Sequence, residues 1–434
     1  MTQSDFPLQQ KHIALAMDLY GLRARLMNSE MTSRRAVIDL ERRLSLHLGL
    51  LARMEVAGIS PSGNDPERFL YFATALQSSD EQKVFESCYL AFEQLRDTSL
   101  AAQPIYDAFT LYPPPIDLLI KLYHDEAESR APLFALWRLR PVELPIALVN
   151  QAELQSEDKR LQSEAMAYAA NHPAFGLSHF QAYYRPLLKP AGAFPLQESL
   201  LEPVLWGGLV RGDPKASKAL GQAVEQVESA QTKSRLLRLM ALKADPAHLP
   251  ALKAAWERSP HFDMRWWALT GLADCAPYLI ERLGKPAQAA CLRDHWYFLS
   301  GIVLPERLAL SLVDKQGTQV EPNPNMASRL KQVPDNASAH AWWEHQRTAW
   351  ADRRWVMGQP DDAAWLFQLC REHMGKTADD LMDLLALKLG RPLGVQGQWG
   401  WQYLGMEALN VLQKTLEAEN RNAGRYESSR LGPA

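Results

Sequence analysis

The chain has 434 residues, more than one compact core accommodates, so it is expected either to divide into domains or to extend as a repeat array. Its 47 Lys and Arg nearly balance 50 Asp and Glu, and the formal charge of -3 excludes a general electrostatic pull toward nucleic acid or an anionic bilayer. Hydrophobic residues at 47% against 22% charged exclude a disordered chain.

The amino terminus, Met1-Thr-Gln-Ser-Asp5, lacks the basic start and apolar run of a signal peptide, and the chain has no apolar stretch of about 18 residues. A cytoplasmic location without membrane insertion is therefore expected. Cys88, Cys275, Cys291 and Cys370 are far apart and form no CxxC pair, so they predict neither a disulfide framework nor a zinc knuckle and read as small buried apolar residues.

Apolar residues recur at helical spacing almost throughout, which predicts an all-α fold. Two amphipathic helices are expected over Ile13 to Met27 and Val37 to Val56, the second with Leu40, Leu44, Leu48 and Leu51 on one stripe. The turn-forming string Ser60 to Pro66 closes this helical hairpin, placed at residues 1–60.

From 61 to 313 a turn with proline recurs between apolar helices. It appears at Tyr112-Pro113, Arg140-Pro141, His172-Pro173, Asp213-Pro214, Asp245-Pro246 and Asp274-Cys-Ala-Pro277. The spacing is about 30 residues, the span of two short helices and their turns, and such a unit buries its apolar face only by stacking on neighbours. An α-solenoid of HEAT-like helix pairs is the expected architecture. The wider interval from Pro173 to Pro214 contains Pro186, Pro190 and Pro195 and reads as one repeat with a loop insertion. Asp213, Asp245 and Asp274 are expected to serve the turns, Asp capping a helix whose first residues include proline.

Residues 314–337 are polar and proline-bearing and read as a linker. A tryptophan-rich helical module follows at 338–417, with helices expected over Ala339 to Trp355, Asp361 to His373, Ala378 to Leu389 and Tyr403 to Leu416. Residues 418–434 read as a frayed tail.

Within that module Asp379-Asp380-Leu-Met-Asp383 has the DDxxD form that holds magnesium and diphosphate in all-α isoprenoid synthases. No second acidic cluster in a comparable context accompanies it, and acids in a first helical turn already complement the helix dipole. His340 and His345 are five apart, about 140° around a helix, so they do not form a zinc pair. Phosphate loops, GxGxxG turns and GxSxG elbows are absent. No catalytic residue, metal ligand or cofactor is therefore assigned. The contact candidates are the paired tryptophans Trp266, Trp267, Trp342 and Trp343, which read either as core or as an aromatic patch for a partner.

The stretch His12 to Gly58, containing Asp39-Leu-Glu-Arg-Arg-Leu-Ser-Leu-His-Leu48, resembles the opening of a proteobacterial family of HEAT-repeat-like proteins. Val333-Pro-Asp335, Ala341-Trp-Trp-Glu344, Arg354-Trp-Val-Met-Gly-Gln-Pro360 and Gly390-Arg-Pro-Leu393 are similar to that family's later segments. Its members often lie beside type VI secretion genes for spike, PAAR and effector-loading proteins. The resemblance implies a non-catalytic, protein-binding scaffold or adaptor whose partner is an effector, PAAR or spike component. An immunity protein binding a cognate toxin, and a metal-dependent all-α enzyme using Asp379, Asp380 and Asp383, are the alternatives.

Overall fold

A computed structural model describes residues 6–54, 59–97, 100–139, 151–188, 197–258, 264–285, 289, 292–308, 332–350, 353–394, 401, 406, 409–415 and 417–418. The fold is all-α. The helices are α1 (Phe6–Asn28), α2 (Arg34–Arg53), α3 (Asp65–Ala75), α4 (Glu81–Arg96), α5 (Gln103–Leu111), α6 (Ile116–Asp125), α7 (Arg130–Leu139), α8 (Gln151–Leu154), α9 (Lys159–Asn171) and α10 (Ser178–Tyr184). They continue with α11 (Glu198–Leu209), α12 (Pro214–Gln226), α13 (Ala230–Lys243), α14 (Leu249–Arg258), α15 (Arg265–Thr270), α16 (Ala276–Leu283), α17 (Arg293–Ser300), α18 (Asn336–Gln346), α19 (Ala363–Glu372) and α20 (Lys376–Leu389). Strands among the described residues are two or three residues long: β1 (Thr32–Ser33), β2 (Glu306–Leu308), β3 (Gln332–Pro334), β4 (Trp355–Val356), β5 (Gln359–Pro360) and β6 (His373–Met374).

α1 and α2 form the expected hairpin, with Leu40, Leu44, Leu48 and Leu51 fully buried. Beyond it, alternate helices pack side by side in chain order: α3 on α5, α5 on α7, α7 on α9, α9 on α11, α11 on α13, α13 on α15 and α15 on α17. The intervening helices pack on members of that row, as α10 does on α11, α12 on α11 and α13, and α16 on α15. One continuous core runs through both layers, from Ala16 to Leu409.

The proline turns work locally as their residue types dictate. Asp213 caps α12, accepting from the Lys215 amide at 2.9 Å, and also takes bonds from Gln181 at 2.9 Å and from the Tyr184 hydroxyl. Asp245 does the same one unit later, accepting from the Ala247 amide at 3.0 Å and the Ser217 hydroxyl at 3.1 Å. Each therefore ties its turn to the preceding helix pair as well as to its own. Asp274 departs from the expectation: it lies inside a 3-10 turn, Ala273–Cys275, and caps neither that turn nor α16. Arg140-Pro141 and the insertion around Pro190 lie outside the described residues.

Helix carbonyls at two junctions are satisfied by half-buried arginines. Arg211 donates to the carbonyls of Ala169, Ala170 and His172 at the end of α9. Arg354 reaches the ends of two neighbours at once, donating to Ala241 and Leu242 of α13 and Leu269 of α15. A cation placed there complements the negative end of the helix dipole. Burial lowers both guanidinium pKa values to about 10, still far above neutrality.

The carboxy-terminal segment returns to the amino-terminal hairpin. β6 pairs antiparallel with β1, matching Met374 to Thr32 and His373 to Ser33. The Lys376 and Thr377 amides donate to the Ser29 and Glu30 carbonyls at 3.0 Å, and Arg34 donates to the Cys370 carbonyl at 2.6 Å. Met27, Val37, Met374 and Ala378 form a small buried cluster behind this join. Gly375 permits it: its φ is +83°, and a Cβ there would lie 2.5 Å from the Ser29 carbonyl oxygen. Deeper in, Trp401 donates to the Asp107 carbonyl at 2.7 Å, while Arg23 stacks over its ring and bridges Glu41 and Asp107 at 2.8 and 3.2 Å.

Some expected boundaries shift. The helix predicted from Ala339 to Trp355 ends at Gln346, because Trp350 turns into the core and Trp355 enters β4. Of the predicted linker, residues 314–331 lie outside the described residues. Residues 332–334 form β3 against β2, and Asp335 caps α18 with bonds from the Ala337 and Ser338 amides. Over Tyr403 to Leu416 the described residues, 406 and 409–415, are helical as expected, while nearly all of the tail lies outside the described residues.

Candidate functional site

α20 packs against α13 beside the helix row, and a groove of about 480 Å³ opens between them. Its walls come from six helices: Arg138 of α7, Glu164 and Asn171 of α9, Glu202 and Trp206 of α11, Arg235 and Arg238 of α13, Arg265 of α15, and Lys376, Asp379 and Asp383 of α20. Trp206 donates its indole N–H to Asn171 at 3.0 Å, which holds the one large aromatic of the wall in place.

Most of the charges are paired across helices. Arg138 meets Glu164 at 3.4 Å and Arg235 meets Glu202 at 3.3 Å, each joining neighbouring members of the row. Arg238 contacts Asp383 at 2.6 Å and Asp380 at 2.8 Å, and Arg265 binds Asp380 with two guanidinium nitrogens. Burial works against the charge on Arg238, but the carboxylates of Asp380 and Asp383 outweigh it and hold its pKa above the ordinary value.

Glu30, from the turn after α1, pairs with two of the groove's cations, Lys376 and Arg265. Lys376 lies 2.6 Å from it, His295 at 3.7 Å and Arg265 at 3.9 Å. Its pKa is lowered to about 2, first through the bond to His295 and then through Lys376 and Arg265, despite partial burial.

Asp379 is the exception. It makes no hydrogen bond or ion pair among the described residues, and burial, reinforced by repulsion from Asp383 and Asp380, pushes its pKa up to about 8 even though Arg238 opposes the shift. A half-buried carboxyl on the groove wall is thus largely protonated at neutral pH and presents a donor as well as an acceptor.

The structure therefore gives Asp379-Asp380-Leu-Met-Asp383 different neighbours from a diphosphate site. Asp380 is almost fully buried and both its oxygens are engaged by guanidinium groups, as is Oδ2 of Asp383. A hard cation on Asp380 would have to displace both arginines, and no cluster of three His, Cys, Asp or Glu among the described residues is arranged to hold a metal.

The tryptophan candidates separate from the groove. Trp266, Trp267 and Trp343 are 7%, 1% and 8% exposed, so most of each ring lies in the core, while Trp267 and Trp343 also reach the wall of a second pocket of about 640 Å³ beside Pro250 and Tyr278. Trp267 stacks on Tyr278 with centroids 4.9 Å apart. Trp342 is half-buried, with its edge against Trp296 and Trp350. Core packing accounts for most of the surface of these rings. His340 and His345 are exposed and are separate from the groove. Cys88, Cys275 and Cys370 are buried as expected, and burial raises each thiol to about 12.

Arg138, Arg235, Arg238 and Arg265 carry the groove, and sequence reasoning missed them. Arg265 and Arg238 reach Asp380 across 115 and 142 residues, and nothing in the local pattern of the four marks them. No helix among the described residues is long and apolar enough to cross a membrane. The chain matches no protein-family model, no curated protein and no solved structure.

Proposed function

We propose that this protein is a non-catalytic scaffold or adaptor that holds a polar segment of a protein partner in the groove between the helix row and α20. The observation that carries the reading is the groove itself, whose walls come from six helices and alternate basic and acidic groups. Stacked helix pairs suit this role because their long shared face presents side chains from successive repeats to one extended ligand. The pairing of Asp380 and Asp383 with Arg238 and Arg265 supports a structural use of the acidic motif over a metal-dependent reaction.

The resemblance to HEAT-repeat-like proteins encoded beside type VI secretion genes supplies the partner class, an effector, PAAR or spike component bound in the cytoplasm. The test places a photo-crosslinking residue at Ser199, on the groove wall, and exposes the full chain to the products of neighbouring genes. Crosslinking to a spike, PAAR or effector protein is expected, and Arg235→Glu should abolish it. Selective capture of a toxin that is thereby neutralised would replace the adaptor by an immunity protein. Substrate turnover lost in Asp379→Ala and Asp383→Ala would replace it by an enzyme.

A further inference from the structure

α1 carries two apolar stripes. The inner one, with Ala16, Tyr20 and Met27, is buried. The outer one is Leu8, Leu15 and Leu22, which are 48%, 38% and 37% exposed. A spacing of seven residues drifts by only about 20° per step on an α-helix, so the three leucines form one line.

On one side of that line His12 bonds His47 of α2 at 2.9 Å. On the other side lie Lys11, Asp18 and Arg25, again seven apart and all exposed. Their alternating sign does not suit an anionic lipid surface, which calls for a flank of uniformly basic residues. It does suit the same helix run in reverse.

We propose that the outer stripe of α1 is a self-association surface, on which two copies of this chain pack antiparallel about a two-fold axis at Leu15. In that register Leu8 of one copy meets Leu22 of the other and Leu15 meets its own counterpart. Lys11 then lies within one residue of Asp18 on both sides of the axis, so the charged flank is complementary to itself. This is the requirement for an isologous contact. A parallel pairing would set the charged flank against the side of α1 already covered by α2 and leave Lys11 and Asp18 unmatched. Leu50, three residues beyond His47 on α2 and 40% exposed, extends the apolar rim.

Sedimentation velocity and light scattering on the full chain should show a dimer at micromolar concentration. Leu15→Glu should raise its dissociation constant about tenfold or more, with far-UV circular dichroism unchanged because Leu15 points outward. Lys11→Glu should weaken the dimer, and Lys11→Glu combined with Asp18→Lys should restore it. Under copper–phenanthroline oxidation, Leu15→Cys should crosslink to itself. Leu8→Cys should crosslink to Leu22→Cys in a mixture and not to itself. A monomer at all concentrations, a dimer indifferent to Leu15→Glu and to the charge exchange, or self-crosslinking of Leu8→Cys would each overturn the proposal.

Discussion

Arg238 and Asp383 stand 2.6 Å apart although 145 residues separate them in sequence, and this contact joins the helix row to the segment that returns across it. The same guanidinium reaches Asp380, so one side chain of α13 holds two carboxylates about one turn apart on α20.

Removing that cation leaves two carboxylates close together, one of them buried. Arg238→Ala should destabilise the protein by about 2–4 kcal/mol, somewhat below the about 3–5 kcal/mol for breaking a fully buried pair from one side because Arg238 and Asp383 are partly exposed. Urea denaturation measures it. Arg238→Lys should recover only part of the loss, since an ammonium cannot span both carboxylates as a planar fork does.

Asp379 predicts the opposite sign. Its pKa is about 8 in the fold against an ordinary 3.8, so between those values the folded protein retains a proton that the unfolded chain has lost. Stability therefore falls as pH rises through that window. Asp379→Asn cannot ionise and should be more stable than the parent at pH 8 by at least about 1 kcal/mol, with the difference gone near pH 4. Thermal melts across that range provide the comparison.

Glu30 behaves as a paired carboxylate. Its folded pKa of about 2 lies below the ordinary 4.5, so its contribution is present above pH 4.5 and is lost as pH falls toward 2. Glu30→Gln should cost about 1–2 kcal/mol at pH 7 after allowance for solvent screening, and nothing near pH 2. Hydrogen exchange at the Lys376 and Thr377 amides should rise in the variant at neutral pH, because those amides bond the backbone beside Glu30.

Gly375 offers a test of the amino- to carboxy-terminal join. Gly375→Ala places a Cβ 2.5 Å from the Ser29 carbonyl at a φ of +83°, and should cost about 1–3 kcal/mol. Gly49→Ala, inside α2 with nothing within 4 Å of the added methyl, should be neutral or stabilising by up to about 1 kcal/mol. Parallel melts of the two variants separate strain at the join from a general effect of alanine.

Local chemistry made much of the helical layout legible. The leucine stripe of α2 is buried where its period placed it, and Asp213-Pro214 and Asp245-Pro246 start helices as their residue types predict. Where the local reading failed, a tertiary contact had intervened. The helix from Ala339 stops early because Trp350 and the 355–356 strand serve the core, and Asp274 yields its capping place to a 3-10 turn. The adjacent tryptophans allow two readings from sequence, and their packing against Tyr278, Trp296 and Trp350 is visible only in the tertiary structure.

By itself, the sequence determined the all-α class, the hairpin at the start and the roughly 30-residue rhythm of proline turns, because helix period, capping and the missing proline amide act within a few residues. Only the tertiary structure decided that α20 lies beside the helix row, that Asp380 and Asp383 answer Arg238 and Arg265, and that Asp379 is left protonated on a groove wall. Those outcomes depend on desolvation and on charges brought together from more than a hundred residues away, and neither quantity is written in local spacing.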